Sequence, residues 1–162
     1  MIRRAVIADI PKIQELLGQI LRVHHNVRPD IFKSSGSKFS EQELRELIPN
    51  DQRPIFVYED DQGELLGHLF LMIQERQGSA MVPHKTLFID DLCVDEAARG
   101  QKIGEKLYRF TCQKASEWDC YNVTLNVWNA NASAVNFYER MGMAPQEMRM
   151  ETIIHPHLEN EQ

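Results

Sequence analysis

No stretch of this chain is apolar for long enough to cross a bilayer. Its hydrophobic runs all fall short of the ~20 residues that a spanning helix needs, so no membrane partner is expected. Cysteine is scarce and odd in number. Cys93, Cys112 and Cys120 cannot all pair with one another, and their spacing is not that of a zinc site. Reduced thiols in a cytoplasmic protein are therefore the expectation. Basic charge is also short. The 18 Lys and Arg against 24 Asp and Glu give a net charge of −6. That argues against a general nucleic-acid binder, which presents a basic face, and leans toward a small cationic substrate. The opening residues MIRRAVIADI hold no apolar h-region and no cleavage site, so no secretory signal is expected. Repeats and low-complexity tracts are missing too. What is present is 162 residues, 43% hydrophobic and 26% charged, the composition of one ordinary globular domain with a single core. Residues 1–154 read as that domain and residues 155–162 as a polar tail.

Hydrophobic periodicity sets the order of elements. IRRAVI (2–7) reads as a short strand. Asp9 then precedes Pro11, the chemistry of a helix start, and Ile13, Leu16, Leu17, Ile20 and Leu21 follow at helical spacing. Residues 26–39, with Pro29 and a Ser-Gly-Ser stretch, read as a loop. Ser40 and Glu43 form a capping box for a short helix to about Ile48. The period then changes to that of strands. PIFVYED, the turn DDQGE and LLGHLFLMIQER predict a β-hairpin, residues 77–84 a connection, and KTLFIDDLCVD a central strand. Ile103, Leu107, Phe110, Thr111, Ala115 and Trp118 line one helical face. YNVTLNVW (121–128) predicts a strand, NASAVNFYERMG (131–142) a helix ending at Gly142, and MAPQEMRMETII (143–154) a last strand. The order β-α-α-β-β-β-α-β-α-β is an α/β (α+β) fold in which an antiparallel meander leads into a βαβ unit.

The stretch DEAARGQKIGEKLY (95–108) sits at the crossover of that unit, with two glycines and two cations where a helix begins. A strand-to-helix corner that needs close packing at Gly104 would look like this. So would an anion site at a helix N-terminus. Two nucleotide motifs fail on spacing. A Walker A loop needs four residues between its glycines and then Lys-Ser/Thr, whereas Gly100 is followed by three residues, Gly104 and Glu105. The dinucleotide fingerprint needs a third glycine. A third pattern fits: Arg99-Gly100-Gln101-Lys102-Ile103-Gly104 resembles the R/Q-x-x-G-x-G/A acyl-CoA pyrophosphate loop of the GNAT N-acetyltransferases, with Lys102 standing where that family has glycine. Its amide survives the exchange if Lys102 takes a helical φ. Asn131, Ala134, Tyr138 and Gly142-Met143 are similar to the family's later strand–helix segment, and LFIDDLCVDEAARG is similar to its central strand.

The resemblance implies a central mixed, mostly antiparallel sheet of six to seven strands, flanked by about four helices and splayed between the fourth and fifth strands. It implies acetyl-CoA as cosubstrate and no metal. Its contacts would be main-chain groups of Leu92, Cys93 and Val94, the loop Arg99, Gly100, Gln101, Lys102, Ile103 and Gly104, and Asn131, Ser133 and Tyr138. It further implies a small-molecule amine acceptor, or less readily a protein amine, and a homodimer through the last strand. A non-catalytic acyl-CoA-binding domain of the same fold is the alternative.

The chemistry sets two demands. An amine of pKa ~10.4 is neutral in only about one molecule in 10³ at pH 7, a handicap of roughly 4 kcal/mol that a base relieves. The departing thiolate benefits from a proton. The resemblance places Tyr138 as that acid. Asp90 and Asp91 lie mid-strand between apolar runs, where a carboxylate is expensive unless it is paired or functional. The resemblance favours Asp90 as base and acceptor contact with Asp91 as its substitute, and a salt bridge or a substrate-orienting role stays open for both. His24, Arg28, Asp30 and Phe32 are candidates for the acceptor wall, although HHNVRPDIF also reads as a plain polar loop. Cys93 lacks a visible base partner and reads as inert. Neither His24-His25 nor His155-Pro156-His157 converges on a metal.

Overall fold

The computed structural model describes residues 1–156. Of the expected tail 155–162, residues 157–162 lie outside the described residues. One five-stranded sheet runs in the sequential order β1 to β5: Ile2–Arg4, Ile55–Glu59, Leu65–Gly78, Met81–Val94 and Asn122–Leu125. The first four strands pair antiparallel as a meander, and β4 and β5 pair parallel. Helices α1 (Ile10–Val27) and α2 (Glu41–Leu47) connect β1 to β2. Helix α3 (Ile103–Glu117) makes the crossover from β4 to β5, and α4 (Ala132–Arg140) follows.

Two cores form on opposite faces of the sheet. Ile13 and Leu17 of α1 and Leu44 of α2 pack on Ile55, Val57 and Phe70. Ile103 and Leu107 of α3 pack on Leu69, Leu71, Leu87 and Ile89, with Phe137 and Tyr138 of α4 at the margin. The α1 stripe repeats every three to four residues, so one face is buried and the other is left to Lys12 and Glu15. The capping box of α2 forms as expected: Glu43 N–H donates to Ser40 Oγ at 3.1 Å.

Several expectations need correction. The sheet has five strands, not six or seven, and β1 stops at Arg4. The cause is Asp9, which sits at the N-cap position of α1 but turns its carboxylate back to the Val6 N–H (2.8 Å) and to Arg3 (2.9 Å), closing a 3-10 turn over Ile7–Asp9. Residues 77–84 are not a loose connection, because β3 and β4 form one long hairpin turning at Ser79-Ala80. Pro83 is tolerated near the hairpin tip, where the register slips between Arg76 and Gly78. β5 ends at Leu125, three residues before Trp128, and residues 143–154 form no strand. No described helix is long and apolar enough to cross a membrane.

Candidate active site

The corner between β4 and α3 is open to an anion. Lys102 is the N-cap of α3 and offers no side-chain cap, so the N–H groups of Ile103, Gly104 and Glu105 have no intrahelical acceptor. The first helical bond runs from the Lys106 N–H to the Lys102 carbonyl. Those amides and the positive end of the helix dipole face a cleft of about 590 Å3, lined also by Arg99, Lys102, Arg140 and Phe137. Lys102 does not take a right-handed helical φ. It sits at φ 59°, ψ 27°, the left-handed region that glycine occupies without cost. The chain thus keeps a glycine's backbone shape with a lysine side chain. Gly104 has a packing reason as well: a Cβ there would lie 3.3 Å from the Phe137 ring of α4. The corner reading, close packing at Gly104, therefore has its structural reason.

The loop that carries the cradle is tied down by Asp95, at the end of β4. Its carboxylate accepts from Lys12 Nζ (2.6 Å) and Gln19 Nε2 (3.2 Å) of α1 and from the Ala97 N–H (3.1 Å). Gln19 Oε1 also accepts from the Glu96 N–H at 3.0 Å. The Lys12 ammonium holds the Asp95 carboxyl below its ordinary value.

Beside the cradle, the sheet opens. Parallel pairing of β4 with β5 stops at Ile89 opposite Leu125, so residues 90–94 of β4 have no neighbour on that side. On that side the main-chain groups of Leu92 and Val94 are left without a strand partner, whereas those of Cys93 face His68 of β3. On its other side β4 carries a bulge. Phe70 faces Asp91 but Leu71 faces Ile89, so Asp90 is an extra residue. The bulge reverses the alternation. Ile89 points into the α3 core, whereas Asp91 and Cys93 turn toward α1, and the Cys93 thiol donates to the Leu16 carbonyl at 3.4 Å.

The two aspartates thereby acquire different surroundings. Asp90 is bracketed by Lys38 (3.1 Å) and Arg53 (3.8 Å). Asp91 is buried and bonded through Oδ2 to His68 Nε2 of β3 at 2.5 Å. Burial, with the charge of Asp91 second, pushes the Tyr138 phenol well above its usual value. The same two causes push the Cys93 thiol up to about 12, which removes it as a thiolate nucleophile.

The predicted acceptor wall assembles at the end of α1. His24 stacks near Phe32 (5.0 Å between centroids), and Phe32 meets Trp128 edge-on at 5.6 Å. The Arg28 guanidinium lies over Trp128 at 5.3 Å and pairs with Asp30 (2.7 Å) and Glu151 (2.6 Å). Burial lowers the pKa of His24, and Lys38 lowers it further, against an opposing pull from Asp91.

The profile of the Acetyltransferase (GNAT) family matches residues 22–143. The chain belongs to that family. It is 30% identical over 115 residues to YdgE, an uncharacterised N-acetyltransferase of Bacillus subtilis, covering 68% of this chain and 70% of that protein. It is 31% identical over 90 residues to the glucosamine 6-phosphate N-acetyltransferase of Trypanosoma brucei brucei, covering 54% and 56%. A mutant of the BH1408 protein of Bacillus halodurans superposes with a TM-score of 0.91 at 25% identity, over 96% of this chain and 99% of that one.

On this GNAT framework, two groups of sequence-predicted residues converge. Arg99, Gly100, Lys102, Ile103 and Gly104 line one cleft. Asp91 lies close enough for its charge to be felt at Tyr138 and at His24. Asn131 spends its side chain on the cap of α4, accepting from the Ala134 N–H at 3.3 Å, and Ser133 is exposed on the first turn. Residues that sequence reading missed are His68, Trp128, Lys38, Phe137, Arg140 and Glu151. Only His68 carried a signal, as a lone imidazole inside the apolar run LLGHLFLMI.

Proposed function

We propose that the protein is an N-acetyltransferase that moves the acetyl group of acetyl-CoA directly to the primary amine of a small cationic acceptor. The observation that carries this reading, on a chain of the GNAT family, is the uncapped N-terminus of α3 with three cations around it, next to the place where β4 and β5 part. The residues fit the donor. The α3 amides with Arg99, Lys102 and Arg140 would hold its pyrophosphate, and the free edge at Leu92 and Val94 would hold its arm. When bound, acetyl-CoA supplies an acetyl thioester. Asp91 takes a proton from the acceptor's ammonium, and Tyr138, its phenol fully protonated at neutral pH, holds a proton for the departing thiolate. Between its two cations, Asp90 serves as a structural and acceptor-orienting carboxylate. Phe32, Trp128, His24 and Arg28 wall the acceptor. Three free thiols suit a reducing cytoplasm.

Calorimetry should show acetyl-CoA binding at tens of micromolar or tighter, and a thiol-release assay should find turnover with a primary amine. Tyr138→Phe is expected to lower kcat about 10²-fold with the Kd for CoA unchanged. Tight binding without turnover on any amine would favour the non-catalytic alternative, and no binding would refute both.

A further inference from the structure

His68 is the most deeply buried ionisable side chain near the site. It is 0% exposed, and its Nδ1 is a sealed-off nitrogen with no partner among the described residues. Nothing in the proposed reaction uses it yet. Its other nitrogen, Nε2, bonds Asp91 Oδ2, and its ring meets Phe70 edge-on at 4.9 Å between centroids. A protonated imidazolium would leave a buried, charged N–H unanswered at Nδ1. A neutral ring with its proton on Nδ1 has the same orphan donor, and it would need Asp91 to be protonated for any bond to form. Only the neutral ring with its proton on Nε2 answers the carboxylate and leaves nothing worse than an unused lone pair.

The consequence falls on Asp91. With Oδ2 occupied, Oδ1 has no protein partner among the described residues and is not among the sealed-off atoms. It is the one basic atom of the pair that is not sealed from solvent. We propose that His68 is a positioning residue for acetyl transfer: as a neutral Nε2–H donor it fixes the Asp91 carboxylate with Oδ1 toward the acceptor. This rests on the acetyltransferase reading. The acceptor's ammonium gives its proton to Asp91 Oδ1, which becomes a carboxylic acid while the amine becomes neutral, and His68 changes neither proton count nor charge.

The groups around Asp91 are His68 on β3, His24 on α1, Lys38 before α2, Tyr138 on α4, and Asp90 and Cys93 on β4. Of these, only His68 bonds the Asp91 carboxylate, so its removal should tell directly on the ionised form. The test begins with 15N NMR of the full-length chain at neutral pH. His68 should show a protonated Nε2 and a bare Nδ1; a doubly protonated ring, or a proton on Nδ1, overturns the proposal. His68→Leu, checked for CoA affinity by calorimetry, should lower kcat/KM at pH 7 about tenfold and move the acidic limb of its pH profile up by about one unit, because the ionised carboxylate has lost a donor. His68→Gln, which keeps an N–H at that place, should restore the limb. Spermidine and glucosamine 6-phosphate serve as probe acceptors. A limb that stays put in a CoA-binding His68→Leu protein, or equal defects in the Leu and Gln variants, reduces His68 to packing. Absence of turnover in the wild type would instead strike at the acetyltransferase reading, while the NMR result still decides the tautomer.

Discussion

At the scale of single residues, Lys102 is where the chain departs furthest from what its neighbours favour. Its left-handed backbone costs about 1 kcal/mol relative to glycine, and the fold tolerates this because the next three amides must start α3 at that point. The lysine that carries the strain also lines the cleft. Lys102→Gly should therefore raise stability by about 1 kcal/mol in urea denaturation while weakening CoA binding several-fold in calorimetry, since it removes a cation and spares the amide. A variant no more stable than the parent would show that Lys102 is not strained. Unchanged CoA affinity would show that its charge does not reach the ligand.

At the scale of elements, the strand–loop–helix unit around Asp95 joins stability to the site. Asp95 stands below its ordinary carboxylate value because it accepts first from Lys12 and is otherwise held by backbone and by Gln19. A group depressed in the folded state stabilises above its unfolded pKa of about 4 and loses that contribution as pH falls below it. Asp95→Asn should cost about 2 kcal/mol at pH 7, and the gap to the parent should narrow when both proteins are unfolded at pH 3. A gap independent of pH would mean that the charge of Asp95 contributes nothing. The same unit shows what was legible in sequence and what was not. The helices, most of the strands and the corner at residues 99–104 followed from periodicity and from the glycines there, because those signals are local. The bulge at Asp90 was not legible: LFIDDLCV alternates plausibly in either register, and the face of Asp91 is decided by pairing with Phe70 and His68 some twenty residues away. The αL conformation of Lys102 was hidden for a related reason, since nothing in a lysine announces a positive φ. Trp128 looked like a strand residue because the end of β5 depends on where β4 ceases to pair.

At the scale of the whole molecule, the segment after Met143 raises the question of what it meets. It was expected to be a strand and has the alternation of one, with Met148, Met150 and Ile154 on one parity, yet it pairs with nothing described. Met150 is 84% exposed and Ile154 77%. On the other parity Glu151 pairs with Arg28 at the acceptor wall, and Ile153 is exposed as well. The segment thus leaves several large apolar side chains uncovered, which a protein surface seldom permits without a partner. The same molecule carries a matching vacancy: β5 is an edge strand bonded only to β4. A chain with both an exposed apolar segment and an open sheet edge carries the two parts that a second copy would join through a two-fold axis. We therefore expect a homodimer in solution, with these segments exchanged or paired along β5. Sedimentation velocity should find a dimer for the parent chain and a monomer for Met150→Glu, which puts a charge into the paired face. The monomeric variant should keep its CoA affinity, because the cradle lies elsewhere. Its KM for the acceptor should rise, because the segment that presents Glu151 to Arg28 loses its support. A monomeric parent would rule out the pairing, and a dimer undisturbed by Met150→Glu would place the interface on another face.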